Sequence, residues 1–291
     1  MRNSPRPRVS VVIPSYNHAA FLETTIRSVA EQSYRPLELV VVDDGSTDDS
    51  PALLRRLFDT LDLDGVQLIE QTNRGAHAAV TRGIEASRGE VVSLLDSDDF
   101  YHPQRIERLQ PWIAEGRHLL AFSGVNFVDQ AGAALPSSNA WPQWYSGCLD
   151  DTVGCPTVGY GLLVHNFSVS SSNFLFRREL YDQVGGFSNL RFSLDWDFLI
   201  RSVHYGEPAF VDEPLLNYRI HDDNTTERVR DRLKTEGVEA LERYMALVRR
   251  EPSPNPLAPS PENWPSYFDR FGQSHKLFFD PESSVLDYWD S

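Results

Sequence analysis

Three carboxylates fall within four residues at Asp96-Ser97-Asp98-Asp99. At that spacing their charges repel one another unless a cation neutralises them. An Asp-x-Asp pair suits Mg²⁺ or Mn²⁺, which take oxygen ligands and are commonly held by one or two carboxylates plus substrate phosphates. A second acidic group, Asp43-Asp44-Gly45-Ser46-Thr47-Asp48, has a structural reading too. Asp44-Gly45 makes a turn, and Ser46, Thr47 or Asp48 would cap the next helix. The third polar group is Pro14-Ser15-Tyr16-Asn17. Outside these groups, His18, His77, His102, His118, His165, His204 and His275 show no ligand spacing and read as structural or surface residues.

Each polar group follows an apolar run of strand length. Residues 9–13, 37–42, 66–69 and 90–95 read as strands. Between them lie helical patterns: Phe21, Leu22, Thr25, Ile26 and Val29 behind a cap at Asn17, then 48–61 and 77–86. Strands alternating with helices make βαβ units, hence a mainly parallel central sheet with helices on both faces. Ligands of such sheets bind beyond the carboxyl ends of the strands, which is where all three polar groups fall.

The remainder is less regular. Residues 119–128 and 170–177 read as strands, and a short helix ends at Gly185-Gly186. A helix over 194–205, strand pattern over 209–220 and a charged helix over 225–250 follow. Residues 139–161 read as an irregular insertion bearing Trp141, Trp144 and Tyr145. Residues 251–265 carry six prolines and read as a linker, followed by an aromatic strap to the end. The expected organisation is a tail at 1–8, a domain at 9–225 whose two halves divide between 100 and 101, and a C-terminal extension at 226–291.

Composition narrows the function. With 27 Lys and Arg against 42 Asp and Glu in 291 residues, the net charge is -15. Such a surface repels phosphate backbones and anionic membranes, which argues against nucleic acid as a partner. Cys148 and Cys155 are too few for a zinc cluster or a disulfide framework and read as free thiols. No apolar run reaches the 20 or so residues of a membrane span. The expected location is cytoplasmic, compatible with a peripheral place at the inner face of the membrane.

Six segments, in order, resemble the family-2 glycosyltransferases of GT-A fold. They are Val11-Val12-Ile13-Pro14-Ser15-Tyr16-Asn17, Val41-Val42-Asp43-Asp44-Gly45-Ser46-Thr47-Asp48, Leu94-Leu95-Asp96-Ser97-Asp98-Asp99, Val184-Gly185-Gly186-Phe187, Asp195-Trp196-Asp197 and Tyr218-Arg219-Ile220-His221. The likeness covers residues 9–221 and implies a catalytic domain at 9–225, with 9–100 its nucleotide-binding half, 101–225 its acceptor half, and the insertion at 139–161 a location suited to acceptor specificity. It implies a metal-dependent inverting transfer of a sugar from a nucleotide-diphosphate donor, a UDP-sugar, to an acceptor hydroxyl of a glycan, lipid-linked or other molecule. By the same resemblance Pro14, Ser15, Tyr16 and Asp44 hold the nucleobase, and Asp96 lies near the ribose. Asp98 binds Mn²⁺ or Mg²⁺, His221 lies near the diphosphate or metal, and Asp195 is the general base. Asn73 contacts the donor, while Trp196 and Asp197 face the acceptor, although packing or solvated roles suit both equally.

The chain departs from the family pattern at Ala79-Val80-Thr81, where many members have Ala-Arg-Asn, and at Leu194-Asp195, where the usual pair is Glu-Asp. Asp195 is therefore the one evident base at its place, and an unperturbed aspartate is already ionised at neutral pH. A nucleotidyltransferase would need a Gly-rich basic loop after the first strand, and a dinucleotide-dependent dehydrogenase a G-x-G-x-x-G. Pro14-Ser15-Tyr16-Asn17-His18 is neither. A glycoside hydrolase would leave the nucleotide-shaped rim unexplained. A silent binding relative would have no chemical need for both Asp98 and Asp195.

Overall fold

A computed structural model of the chain describes residues 6–114, 116–221 and 230–260. The runs Val9–Ser15 (β1) and Leu37–Asp43 (β2) are buried along nearly their whole length. Strands apolar on both faces need cover on both faces, the condition of the middle of a parallel sheet. Helices supply it. Ala19–Ala30 (α1) buries Phe21, Leu22, Ile26 and Val29, and Ser50–Phe58 (α2) buries Leu54 and Leu57. Ala76–Ala86 (α3) presses so closely on β1 that a Cβ on Gly83 would lie 2.4 Å from a Val12 methyl. Val91–Leu94 (β4) pairs in parallel with β1, while Gly65–Glu70 (β3), half exposed, pairs with β2 at the sheet edge.

Phe100–Tyr101 (β5), Arg105–Ala114 (α4), Leu120–Val128 (β6), Ala140–Thr152 (α5) and Val158–Val164 (α6) come next. They are followed by Leu175–Arg177 (β7), Arg178–Val184 (α7), Leu194–Tyr205 (α8), Ala209–Arg219 (β8) and Arg230–Arg250 (α9). The strand order is β3-β2-β1-β4-β7-β6-β8-β5. Because β7 is antiparallel to both β4 and β6, β6 runs the same way as β4, and β8 is parallel to β6. Strands β1, β2, β3, β4, β6 and β8 therefore all end on one rim, while β5 and β7 run back. The sheet is mixed, and its shared rim gathers the polar segments.

Several local readings are corrected. Asn17 does not cap α1: its φ is 55°, and its side-chain oxygen accepts from the Thr47 N–H at 2.7 Å. Asp48 serves two helices, accepting from Ala19 N and from Ser50 N, both at 3.0 Å. The expected irregular insertion folds into α5 and α6, capped by Asn139 and Thr157. Its Trp141, Tyr145 and Cys148 recur at helical spacing, a period masked by the intervening Gly and Pro. Ser171–Asn173, capped by Ser170, form a 3-10 turn before a short β7.

The proline-rich stretch is docked over residues 251–260 rather than free. Ser253 Oγ donates to His204 O and Asn255 Nδ2 to Val203 O, while Tyr244 OH in α9 donates to Pro259 O. The aromatic strap at 261–291, the start of the N-terminal tail and His275 lie outside the described residues. Both cysteines are free, and burial pushes their thiols up to about 11. Among the described residues no helix is long and apolar enough to cross a membrane.

Candidate active site

The turn after β4 leads straight into β5, which pairs antiparallel with β8 through Phe100 and Asn217. That pairing brings residues 96–99 against the end of β8. Arg219 donates its backbone N–H to Asp99 Oδ1 at 2.9 Å and its Nε to the Asp98 carbonyl at 2.7 Å. From the other side Ser170 Oγ donates to Asp96 Oδ2 at 2.9 Å. Ser172 Oγ donates to Asp99 Oδ2 at 2.6 Å and accepts from the Asp96 N–H at 2.9 Å.

The three carboxylates are not equivalent. Burial raises Asp96 and Asp99, the negative charge of Asp98 raises them further, and Asp99 ends well above the usual carboxylate range. Asp98 feels the same burial, but its bond to His221 and the positive influence of His18 and His221 outweigh it and hold it low. Asp98 is the carboxylate kept ionised, as a cation ligand must be.

Asp98 Oδ2 lies 3.0 Å from His221 Nε2. Donor atoms of His18, Asp98 and His221 all fall within 4.8 Å of one another. Two imidazoles and an ionised carboxylate fit a divalent cation. His18, which showed no ligand spacing in the sequence, is set by the fold beside Asp98 and His221. Neighbour spacing could not reveal it, because the three groups come from the β1–α1 junction, the β4–β5 turn and the end of β8.

Asp195 lies in the first turn of α8. Asn166 Nδ2 donates to its Oδ2 at 3.0 Å, and Ser168 Oγ holds Asn166 Oδ1 at 2.6 Å. Burial pushes its carboxyl up to about 6, against hydrogen bonds that lower it, and the Asp96 charge adds to the rise. The expectation of an unperturbed aspartate is thereby corrected. Residues 166–173 thus touch Asp195 at one end and Asp96 and Asp99 at the other. Glu236 of α9 fastens the start of α8, its Oε2 accepting from Phe192 N and Ser193 N at 2.7 and 3.0 Å. Sequence reading missed Asn166, which bonds Asp195, and Glu236, which bonds the two residues before α8, because both come from distant parts of the chain.

At the ends of β1 and β2, Tyr16 is exposed while Ser15 and Asp43 are buried with Ser15 Oγ and Asp43 Oδ2 unpartnered. Asp44 is 3% exposed. Its Oδ1 accepts from Gln71 Nε2 and Arg74 N, and its Oδ2 accepts from Gly75 N. Asp44 therefore clasps the loop that carries Asn73, and an acceptor position remains on Oδ2. Gly45 is required there, since its φ is 77° and a Cβ would lie 2.8 Å from Asn73 N. Asn73 itself is exposed, and Pro14 is half-buried at the register position beside Val42.

A family model described as Glycosyl transferase family 2 matches residues 10–185. The chain is a family-2 glycosyltransferase. It is similar to an undecaprenyl-phosphate 4-deoxy-4-formamido-L-arabinose transferase of Pseudomonas syringae, 34% identical over 165 residues. That match covers 55% of this chain and 49% of the relative, so the chain aligns with about half of that protein's length. A mannosyltransferase of Pyrobaculum calidifontis, solved with GDP-Man and Mn²⁺, shares the fold with a TM-score of 0.64 and 21% identity. The match covers 86% of this chain and 67% of that one. TarS 1–349 of S. aureus, solved with UDP-GlcNAc, superposes with a TM-score of 0.62 at 18% identity, over 84% and 67% of the two chains.

Two side chains of this glycosyltransferase are placed by packing. Trp196 is 7% exposed, its indole N–H donates to Leu162 O at 2.7 Å, and Gly237 of α9 closes over it. An indole so enclosed has no face left to stack on a sugar. Asp197 is fully buried and pairs with Arg201 at 2.5 Å and Arg243 at 4.0 Å. It is neither a solvated acid nor an acceptor contact, because burial and two guanidinium groups commit it to holding α8 and α9 together.

Proposed function

We propose that this enzyme transfers a sugar, with inversion, from a nucleoside-diphosphate donor to an acceptor hydroxyl. Asp195 is the general base, and Asp98 and His221 hold a divalent cation. The observation that carries the reading is one rim bearing two carboxylates tuned in opposite directions: Asp98 kept low beside His221, Asp195 raised to about 6 and held by Asn166. A base near 6 is ionised at neutral pH yet takes a proton more readily than an ordinary aspartate. Asp195 takes the acceptor's proton as the acceptor oxygen bonds to the anomeric carbon. The bond to the diphosphate oxygen breaks, and that oxygen keeps the electron pair. A bound cation would supply neutralisation of the charge that develops on the diphosphate.

Uridine is the proposed nucleoside, with the remaining acceptor position on Asp44 Oδ2 meeting the ring N–H and Tyr16 beside the base. TarS solved with UDP-GlcNAc supports a uridine donor, and the mannosyltransferase solved with GDP-Man and Mn²⁺ supports a divalent ion. The Pseudomonas relative, whose name carries a lipid phosphate, supports a lipid-linked acceptor.

Asp195→Asn keeps the size and most of the hydrogen-bonding outline but cannot take a proton. Turnover should fall about 10²–10⁴-fold while UDP affinity is retained. An α-linked donor should yield a β-linked product by NMR. Near-normal turnover in the variant, or a product with the donor's anomeric configuration, would remove Asp195 from the reaction.

A further inference from the structure

We propose that His18 is a third protein ligand of the cation site, and that His18, Asp98 and His221 together select a first-row transition ion such as Mn²⁺ over Mg²⁺. The inference rests on the cation reading above and extends it to a residue and an ion class. His18 is aimed from both sides. Asn17, turned by its φ of 55°, is pinned by Thr47 N onto its Oδ1 and by its own N–H to Ser46 Oγ at 2.9 Å. On the ring itself, Nδ1 lies 2.7 Å from Ser97 Oγ, which leaves Nε2 for another partner. A metal-binding imidazole is commonly oriented in this manner, through a hydrogen bond from its other nitrogen.

The rings of His18 and His221 meet edge-on, centroids 5.9 Å apart, and both pack on Phe21. The 3.0 Å between His221 Nε2 and Asp98 Oδ2 sets these two donor atoms side by side. Mg²⁺ prefers oxygen and sheds its water reluctantly, so two imidazole nitrogens are a poor set for it. Mn²⁺ also favours oxygen, but as a first-row transition ion it accepts a mixed set of imidazole and carboxylate more readily than Mg²⁺ does. Two neutral imidazoles and one carboxylate also leave a divalent ion with net positive charge to face a diphosphate.

Pulsed electron paramagnetic resonance of Mn²⁺ bound to the full chain with UDP counts the coordinated nitrogens. Two imidazole ¹⁴N couplings are expected in the native protein and one in His18→Phe, which keeps a ring against Phe21 and His221. Calorimetry should show Mn²⁺ affinity in the presence of UDP at least about tenfold weaker in that variant. Mg²⁺ should bind the native protein more weakly than Mn²⁺ and be indifferent to the substitution. If His18→Phe melts early without ligand, His18→Ala, which adds no bulk to the rim, gives the same readout. A single coupling in the native protein, unchanged by substitution at His18, overturns the inference and leaves the cation reading standing. Equal affinity for Mg²⁺ and Mn²⁺ overturns the selectivity. No nitrogen coupling, with equal UDP affinity in EDTA and in Mn²⁺, overturns the cation reading itself.

Discussion

At the scale of single residues, the position of Asp195 in the first turn of a helix ought to keep its carboxyl low, since the helix N-terminus favours negative charge. Burial wins instead and carries it to about 6. The proposed base works only when deprotonated, so turnover should be full above that value and fall as the pH drops through about 6. Asn166 donates to the charged form, so its loss makes ionisation harder. Asn166→Ala should move the acid limb of the pH–rate profile upward, whereas a merely structural role would lower the rate without moving the limb. An unshifted limb in that variant would sever Asn166 from the base.

At the scale of elements, the segment 166–173 decides how the rim is assembled. Val169 has a φ of 72°, a costly conformation for a β-branched residue, on the order of 1–3 kcal/mol. The bonds around it hold it there: Asn173 Nδ2 grips Ser168 O and Ser123 O, and fully buried Arg105 donates to Asn173 O. Ser172 joins the two acidic groups, so Ser172→Ala leaves a buried carboxyl oxygen of Asp99 and the Asp96 N–H without this partner. Urea unfolding should show a loss of about 1–3 kcal/mol, accompanied by weaker binding of Mn²⁺ with UDP. Unchanged stability would mean that these groups find other partners and that the segment does not clasp the site.

At the scale of the whole molecule, α9 lies beyond residues 10–185 that the family model matches, yet it is built into the site. Its buried Val238, Leu241, Tyr244, Met245 and Val248 join the core, and it packs on α8. Glu236 then accepts two N–H groups at the start of the helix that carries Asp195. Glu236→Ala should cost about 1–3 kcal/mol by thermal or urea melting, the usual worth of backbone hydrogen bonds to a charged acceptor. Turnover should fall with UDP affinity unaffected, because the nucleotide rim is formed by other elements. Gly237→Leu tests the same contact sterically: a Cβ there would lie 2.9 Å from Trp196, so a loss of about 1–3 kcal/mol is expected.

The order of strands and helices through β4, the shared rim and the acidic clusters were all legible along the chain. Each rests on patterns within a dozen residues: β-branched runs, helical spacing, and polar residues where a strand stops. The helices at 140–152 and 158–164 were obscured because Gly and Pro interrupt an otherwise helical spacing. The docked prolines at 251–260 read as a linker because composition reports stiffness but not what lies beneath. What tertiary structure alone decided is which of the dispersed polar groups meet, and therefore how each is charged. The pairing of β5 with β8 sets Asp98 beside His221, and the β1–α1 junction adds His18. Burial at the start of α8 raises the Asp195 carboxyl from the ordinary range to about 6. Residue types and local spacing determine what chemistry this chain could perform. Distances across the rim, and the water excluded from it, determine which side chains perform it.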